Sequence, residues 1–131
     1  MSQVIPAAFR DLFQRRVLAN LATVMPDGRP QVTPVWCDLE GDTIRFNTAS
    51  GRQKDRNLVR DGRVALALVD PDNPGRYLEV RGRVIERTET GADAHIDLLA
   101  QKYLGTPFPY RQASEQRVLF RIEPEHVTHM G

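Results

Sequence analysis

Two turn signals divide the first half of this 131-residue chain. Asp27-Gly28 separates the apolar segments RVLANLATVM and QVTPVWCDL, and Glu40-Gly41-Asp42 leads from the second segment into TIRFNTAS. Such short polar sequences with glycine form the tight turns of β-hairpins, because glycine adopts positive φ without strain. The spacing predicts a three-stranded antiparallel meander.

Three later segments predict further strands. RVALALVD is apolar at nearly every position, which is typical of a strand covered on both faces. RYLEVRGRVIERTE alternates as a half-solvated strand does, with Gly82 as a bulge or a point of close approach, and RVLFRIEPEHVTHM closes the chain. Helices are predicted at about 6–15, from 51 or 52 to about 60, and at 91–104. About six strands in this order predict an antiparallel barrel with helical insertions.

Composition narrows the class of protein. A length of 131 residues predicts one domain, 1–131, and a net charge of +1 argues against a nucleic-acid binder. No apolar run is long enough for a membrane span, and Arg10 and Asp11 interrupt the N-terminal apolar stretch that a signal peptide would need. We therefore expect a cytoplasmic protein without membrane partners. The single cysteine, Cys37, excludes an intramolecular disulfide and is expected to be a small buried side chain.

The most unusual segment is FNTASGRQKDRNLVRDGRVAL, at 46–66. Between 52 and 63 it holds five basic residues against two acidic ones. Ser50 and Gln53 have capping-box spacing, which puts Arg52 in the first helical turn, where the backbone N–H groups already carry partial positive charge. An anion there would explain the arrangement, bound by the Thr48 and Ser50 hydroxyls, Arg52 and Lys54. The alternative is a solvated helix whose arginines pair with nearby aspartates.

Arg56 and Arg60 follow Arg52 by one and two helical turns. The three side chains can line one face of the helix, where a ligand with several negative charges could lie. Arg60 has an equally simple explanation, since a cation is favourable near a helix C-terminus.

Four segments together resemble a known family: LATVMPDGRPQVTPVW, SGRQKDRNLVRDGRVAL, RYLEVRGRV and RVLFRIEPEHV. They resemble the split β-barrel flavin and deazaflavin oxidoreductases related to pyridoxamine 5'-phosphate oxidase, and most closely the F420-dependent enzymes of that class. The resemblance implies a mainly β fold, a six-stranded antiparallel split β-barrel with a few short helices. It also implies a homodimer with two cofactor sites at the subunit interface.

The resemblance further implies a set of cofactor-binding residues. Four residues of the second strand would lie against the tricyclic ring: Thr33, Pro34, Val35 and Trp36. Four would hold the phosphate: Thr48, Ser50, Arg52 and Lys54. Asn57 would contact the polar chain or the phosphate region, and Arg56 and Arg60 would suit the acidic tail of coenzyme F420.

The resulting hypothesis is an F420-dependent oxidoreductase that gives a hydride from the reduced deazaflavin to a small organic substrate. Three alternatives remain: an FMN-dependent oxidase or reductase of the same barrel, a non-catalytic protein that binds a flavin-like or haem-like ligand, and a purely structural barrel. No catalytic residue can be assigned, although Tyr77, Tyr110 and Arg111 are possible contacts for the substrate.

Histidines provide no metal site in this interpretation. His126 and His129 fall in a predicted strand, where residues three apart point to opposite faces. His95, beside Asp93 and Asp97 in a predicted helix, is expected to be solvated. The sequence has neither a GxGxxG nor a GxxxxGK motif, which disfavours a Rossmann-type nicotinamide enzyme.

Overall fold

The computed structural model describes residues 3–131, which form one antiparallel sheet of seven strands and short helices. The strands are β1 (Ala19–Val24), β2 (Pro30–Val35), β3 (Cys37–Glu40), β4 (Thr43–Ala49), β5 (Arg63–Val69), β6 (Tyr77–Thr88) and β7 (Arg117–Met130). Their order across the sheet is β2-β1-β5-β6-β7-β4-β3. The prediction of a mainly β antiparallel split barrel is confirmed.

The strand count differs from the prediction because the expected return strand QVTPVWCDL is broken at Trp36. β2 pairs with β1 at one end of the strand order, whereas β3 pairs with β4 at the other end. Since Trp36 alone separates β2 from β3, the chain itself links the two edges of the sheet. The break therefore turns six predicted strands into seven and curls the sheet toward closure.

Inward-facing side chains fill the space inside the curled sheet. Phe46 of β4 stacks on Phe120 of β7 with ring centroids 4.9 Å apart. In β5, Val64, Leu66 and Leu68 are buried, and the intervening Ala65 and Ala67 are only half-buried. The prediction that this strand is covered on both faces is therefore wrong for a single chain.

Gly82 confirms the prediction of a bulge or close approach in β6. The register between β6 and β7 shifts after Arg81. A Cβ atom at Gly82 would lie 2.2 Å from the backbone oxygen of Glu123, so only glycine allows the two strands this contact.

The helices lie outside the sheet. A 3₁₀ turn (Ala7–Phe9) and α1 (Asp11–Gln14) replace the single helix predicted at 6–15, followed by α2 (Gln53–Arg60) and α3 (Ala92–Leu104). Within residues 3–131, no helix combines the length and apolar character needed to cross a membrane.

Candidate functional site

A cavity of about 430 Å³ opens where β2, β4, α2 and α3 meet the segment that precedes β7. Six of the eleven residues expected to bind a cofactor line it: Pro34, Val35, Trp36, Thr48, Arg52 and Lys54. The cavity thus brings together residues from both halves of the prediction, those expected at the ring and those expected at the phosphate.

One end of the cavity is cationic and is formed by Arg52, Lys54 and Arg117. Glu115 is the acid paired with them, 3.7 Å from Arg52 and 3.3 Å from Arg117. Within residues 3–131, Lys54 has no side-chain hydrogen bond and no ion-pair partner. Three positive charges beside one carboxylate form a site that favours an anion.

The pKa of Lys54 reflects this environment. Burial lowers the pKa of Lys54 below its ordinary value, and the charges of Arg52 and Arg117 lower it further. Burial likewise lowers the pKa of Arg117. Because each cation destabilises its neighbours, an anion bound among them would relieve a repulsion already present in the folded chain.

A hydroxyl group at the cationic end lacks a partner. Thr48 is 2% exposed, and its Oγ1 makes no hydrogen bond within the described residues. A buried unsatisfied polar group costs about 1–3 kcal/mol, so such groups are rare. In the same part of the chain, only Thr33 Oγ1 is a second buried side-chain oxygen of this kind. Thr48 Oγ1 can donate a hydrogen bond to an anion in the cavity.

Beside these cations, part of the cavity wall is apolar and aromatic. Trp36 stacks on Tyr103 with centroids 5.3 Å apart, and Phe108 meets it edge-on at 6.3 Å. The Tyr103 hydroxyl donates to the Val17 carbonyl at 2.6 Å and accepts the Cys37 backbone N–H at 3.2 Å. These bonds fix the Tyr103 ring on which Trp36 stacks, and Phe108 continues the aromatic wall to Arg117, 5.0 Å from its guanidinium carbon.

The turn into α2 differs from the predicted capping box. Arg52 is the N-cap residue, without a side-chain capping bond, so the helix begins at Gln53 and Arg52 precedes its first turn. Asp55, rather than Ser50, accepts a hydrogen bond from the Gly51 backbone N–H, at 2.8 Å. Gly51 has φ of +89°, and this left-handed residue directs the chain from β4 into the helix.

Asp55 is held in turn by Arg87 of β6. The Arg87 Nε atom lies 2.7 Å from the Asp55 carboxylate. Burial alone would raise the pKa of Asp55, but hydrogen bonds from Arg87 and the Gly51 N–H outweigh burial and lower it. The turn that carries Arg52 and Lys54 is therefore anchored to the sheet by a charged pair.

Five predicted residues do not line this cavity. Asn57 is fully buried, donates to Thr23 Oγ1 at 2.9 Å and accepts from Gln53 at 2.8 Å. The others are Thr33, Ser50, Arg56 and Arg60. Arg56 donates to the Gly51 carbonyl at 2.7 Å, and Arg60 donates to the Val24 carbonyl. The expected row of three arginines along one ligand is thus not formed in a single chain, and contact of these five residues with a cofactor stays a prediction.

Sequence reasoning missed Arg117, Asn47 and His95. Arg117 is 5% exposed, and it lies opposite Ala49 at the end of the β4–β7 pairing. Nothing in the local sequence marks it, because its place beside the basic segment depends on which strands pair. His95 is 2% exposed, so the prediction that it is solvated is wrong.

The residues proposed as substrate contacts are also separated. Tyr110 lines the cavity, whereas Arg111 forms ion pairs with Asp93 and Asp97 of α3. Tyr77 lies at the start of β6, opposite Met130.

Comparison with known proteins extends these observations. The family model described as pyridoxamine 5'-phosphate oxidase matches residues 5–131. The chain is similar to the solved structure of a protein named F420 reductase, with 36% identity over 95% of this chain and 98% of that one, and a TM-score of 0.85.

Two further solved structures are also similar. A conserved hypothetical protein from Mycobacterium tuberculosis shares 26% identity, with coverage of 98% and 86% and a TM-score of 0.78. HupZ from Group A Streptococcus shares 25% identity, with coverage of 96% and 94% and a TM-score of 0.71. A search of curated proteins finds no match.

Proposed function

Because the chain belongs to the pyridoxamine 5'-phosphate oxidase family, we propose that it is an oxidoreductase that uses coenzyme F420 to reduce a small organic substrate. One observation supports this above the others: the same cavity combines three cations and an unpartnered threonine hydroxyl with an aromatic wall. This is the chemistry that a phosphate attached to a flat ring system requires.

The protein's own residues divide the binding task. Thr48, Arg52, Lys54 and Arg117 would hold the phosphate, since all four line the cationic end. The ring would lie beside the wall from Pro34 to Trp36. When bound, the reduced deazaflavin supplies the hydride, so the protein needs chiefly to orient the ring and keep water away from it.

FMN is the alternative cofactor, because its phosphate and ring would use the same cations and the same aromatic wall. The similarity to an F420 reductase, at 36% identity over nearly the whole chain, favours F420. The positions of Arg56 and Arg60 do not contribute to this choice, since neither lines the cavity of a single chain.

The proposal includes a homodimer. The outer face of the sheet carries apolar side chains: Ala22 lies between Val32 of β2 and Ala65 of β5. Val32 is 63% exposed. A second copy packed on this face would bury it and, because Pro34 follows Val32 on the same face of β2 and lines the cavity, would extend to the cavity.

Fluorescence of the single tryptophan, Trp36, tests the cofactor directly, because this residue lines the cavity. Titration with coenzyme F420 should quench it with micromolar affinity, and FMN should bind more weakly. Arg29→Ala, which removes an exposed cation of the β1–β2 turn that does not line the cavity, is the control for nonspecific charge effects. Tighter binding of FMN than of F420 would make FMN the proposed cofactor, and binding of neither would reject the cofactor proposal.

A turnover assay of reduced F420 with activated alkenes and quinones then distinguishes an enzyme from a protein that only carries the cofactor.

A further inference from the structure

A buried hydrogen-bonded chain leads away from the cationic end of the cavity and begins at Asn47, which lines the cavity wall beside Arg117. Arg117 Nε donates to Asn47 Oδ1 at 2.9 Å, and Asn47 Nδ2 lies 3.2 Å from His95 Nδ1. His95 Nε2 lies 3.1 Å from Asp38 Oδ1, and Asp38 is paired in turn with Arg45. We call Asn47, His95 and Asp38 the buried relay. It connects β4, α3 and β3 to the guanidinium of Arg117.

The partners of the relay fix the direction of every bond. Asn47 Nδ2 also donates to the backbone carbonyl of Ala92, at 2.9 Å. One hydrogen of the Asn47 amide is bonded to the Ala92 carbonyl. The other therefore points at His95 Nδ1, which accepts it. His95 then carries its proton on Nε2 and donates to Asp38. The opposite orientation of the Asn47 amide would set its NH₂ group against the N–H of Arg117, so Oδ1 must face Arg117.

Arg117 is restrained on three sides by these contacts. Asn47 holds Nε, Glu115 holds a terminal nitrogen at 3.3 Å, and the Phe108 ring lies under the guanidinium, 5.0 Å from its carbon. A rigid guanidinium loses less conformational entropy when it binds an anion than a mobile one does.

The group that accepts the hydrogen bond from Arg117 Nε is the neutral amide of Asn47, and this neutrality bears on the role of Arg117. A nearly buried arginine held only for structure is best compensated by a carboxylate in direct contact. Glu115 supplies one such carboxylate, at a terminal nitrogen, but at Nε the direct contact is the neutral amide of Asn47, and the carboxylate of Asp38 lies beyond His95. The arrangement orients Arg117 without adding a second negative charge beside it.

We propose that Asn47 and His95 are positioning residues that aim Arg117 at a phosphate group in the cavity while leaving its charge available. The proposal deepens the proposed function, and it rests on that function only in taking the phosphate as the cofactor's. It predicts that Asn47 and His95 affect anion binding through Arg117 and by no other route.

A double-mutant cycle tests that dependence, with coenzyme F420, FMN and inorganic phosphate as separate probes. Asn47→Ala should weaken phosphate-group binding about tenfold, as loss of a hydrogen bond to a charged group does. In an Arg117→Ala background, the same change should have no further effect on affinity. Equal weakening in both backgrounds would overturn the proposal, as would unchanged affinity in Asn47→Ala.

His95 provides a second cycle with a conservative variant. His95→Gln can still accept from Asn47 and donate to Asp38, so it should keep most of the affinity that His95→Leu loses. A purely structural role would instead make affinity follow the melting temperature in both variants. Val64→Ala is the matched control: it truncates a core side chain in β5, which pairs with neither β4 nor β7. It should lower stability and keep anion affinity.

Asn47→Asp keeps the experiment decisive where the alanine variant fails to fold. It preserves the shape of the side chain but places a carboxylate on Arg117 Nε, which should reduce affinity for all three probes. Unchanged affinity in folded Asn47→Asp would overturn the proposal. Binding of FMN and phosphate without binding of F420 would reject the F420 proposal, but the roles of Asn47 and His95 could still be tested with FMN and phosphate as ligands.

Discussion

The Glu115 carboxylate lies 3.3 Å from the Arg117 guanidinium and forms the acidic partner at the cationic end of the cavity. It is 10% exposed, and it also pairs with Arg52 at 3.7 Å. An incoming phosphate would share both cations with this carboxylate and would be repelled by it. Glu115 therefore opposes the binding of anions in the cavity.

Glu115→Gln should raise the affinity for FMN and coenzyme F420 about fivefold, the factor that corresponds to roughly 1 kcal/mol of relieved repulsion. Glutamine keeps an oxygen that can accept from Arg117, so the orientation of the guanidinium should survive. Fluorescence titration at low and high salt checks the prediction, because screening should reduce the gain. Weaker binding by the variant would show that the charge of Glu115 is needed to hold Arg117.

Thr48→Val should separate ligand binding from stability. Valine has the shape of threonine without the hydroxyl, which in Thr48 makes no hydrogen bond within the described residues. The free energy of unfolding should stay the same or rise by up to about 1 kcal/mol, while binding of a phosphate ligand weakens by about 1 kcal/mol.

Thr23→Val is the matched comparison for stability. Thr23 is also 2% exposed in a strand, but its Oγ1 accepts a hydrogen bond from Asn57 at 2.9 Å. This variant should lose about 1–2 kcal/mol of stability on urea unfolding, because it removes the shortest hydrogen bond of the buried Asn57 amide and leaves only the longer contacts to Gln31 and Met25, at 3.4 Å. Equal losses in both variants would mean that the Thr48 hydroxyl contributes to folding.

Particular residues show how far the sequence predicts this molecule. Turn signals and strand periodicity are local, so the two hairpin turns, the close approach at Gly82 and the strand beginning at Arg117 could all be derived. The break at Trp36 could not, because QVTPVWCDL has the pattern of one continuous strand, and only the pairing of its two halves with different partners reveals it.

The same limit applies to the candidate site. Arg52 and Lys54 stand out locally as cations around a turn. Arg117 joins them only through the β4–β7 pairing, and Asn47 meets His95 only because α3 packs over β4. The predicted capping box is wrong for a related reason. Asp55, rather than Ser50, accepts a backbone N–H at this turn, and Asp55 is held in place by Arg87, which lies on a strand far along the sequence.

Asp70 should make stability depend on acid pH. The backbone N–H of Asp72 lowers the pKa of Asp70 to about 2, and ion pairs with Arg76 at 2.9 Å and Arg15 at 3.3 Å assist against the opposing effect of burial. Because the pKa is lower in the folded state, the stabilisation is complete above the ordinary value of about 3.9. It should be lost as the pH falls toward 2.

Asp70→Asn tests this dependence by urea unfolding between pH 7 and pH 2. The variant should be less stable than the parent at pH 7, and the difference should shrink as the parent's carboxylate is protonated. Asp42→Asn is the control, since Asp42 is an exposed acid with one ion pair. A difference that does not change with pH would show that Asp70 contributes shape and hydrogen bonds, but no charge.

Lys54 should give ligand binding an alkaline limit. Because burial, Arg52 and Arg117 lower the pKa of Lys54, its charge is lost at a lower pH than that of an ordinary lysine, whose pKa is about 10.4. Affinity for F420 or FMN should therefore fall as pH rises toward that value, and bound phosphate should raise the pKa of Lys54 again.

Lys54→Ala should weaken binding by about 2 kcal/mol at pH 7 and flatten the alkaline fall in affinity, whereas Lys54→Arg should keep both affinity and charge. Ligand titrations followed by Trp36 fluorescence at pH 7 to 10 measure the affinity of the parent protein and of the two variants. An alkaline fall that persists in Lys54→Ala would assign it to another group and remove Lys54 from the phosphate site.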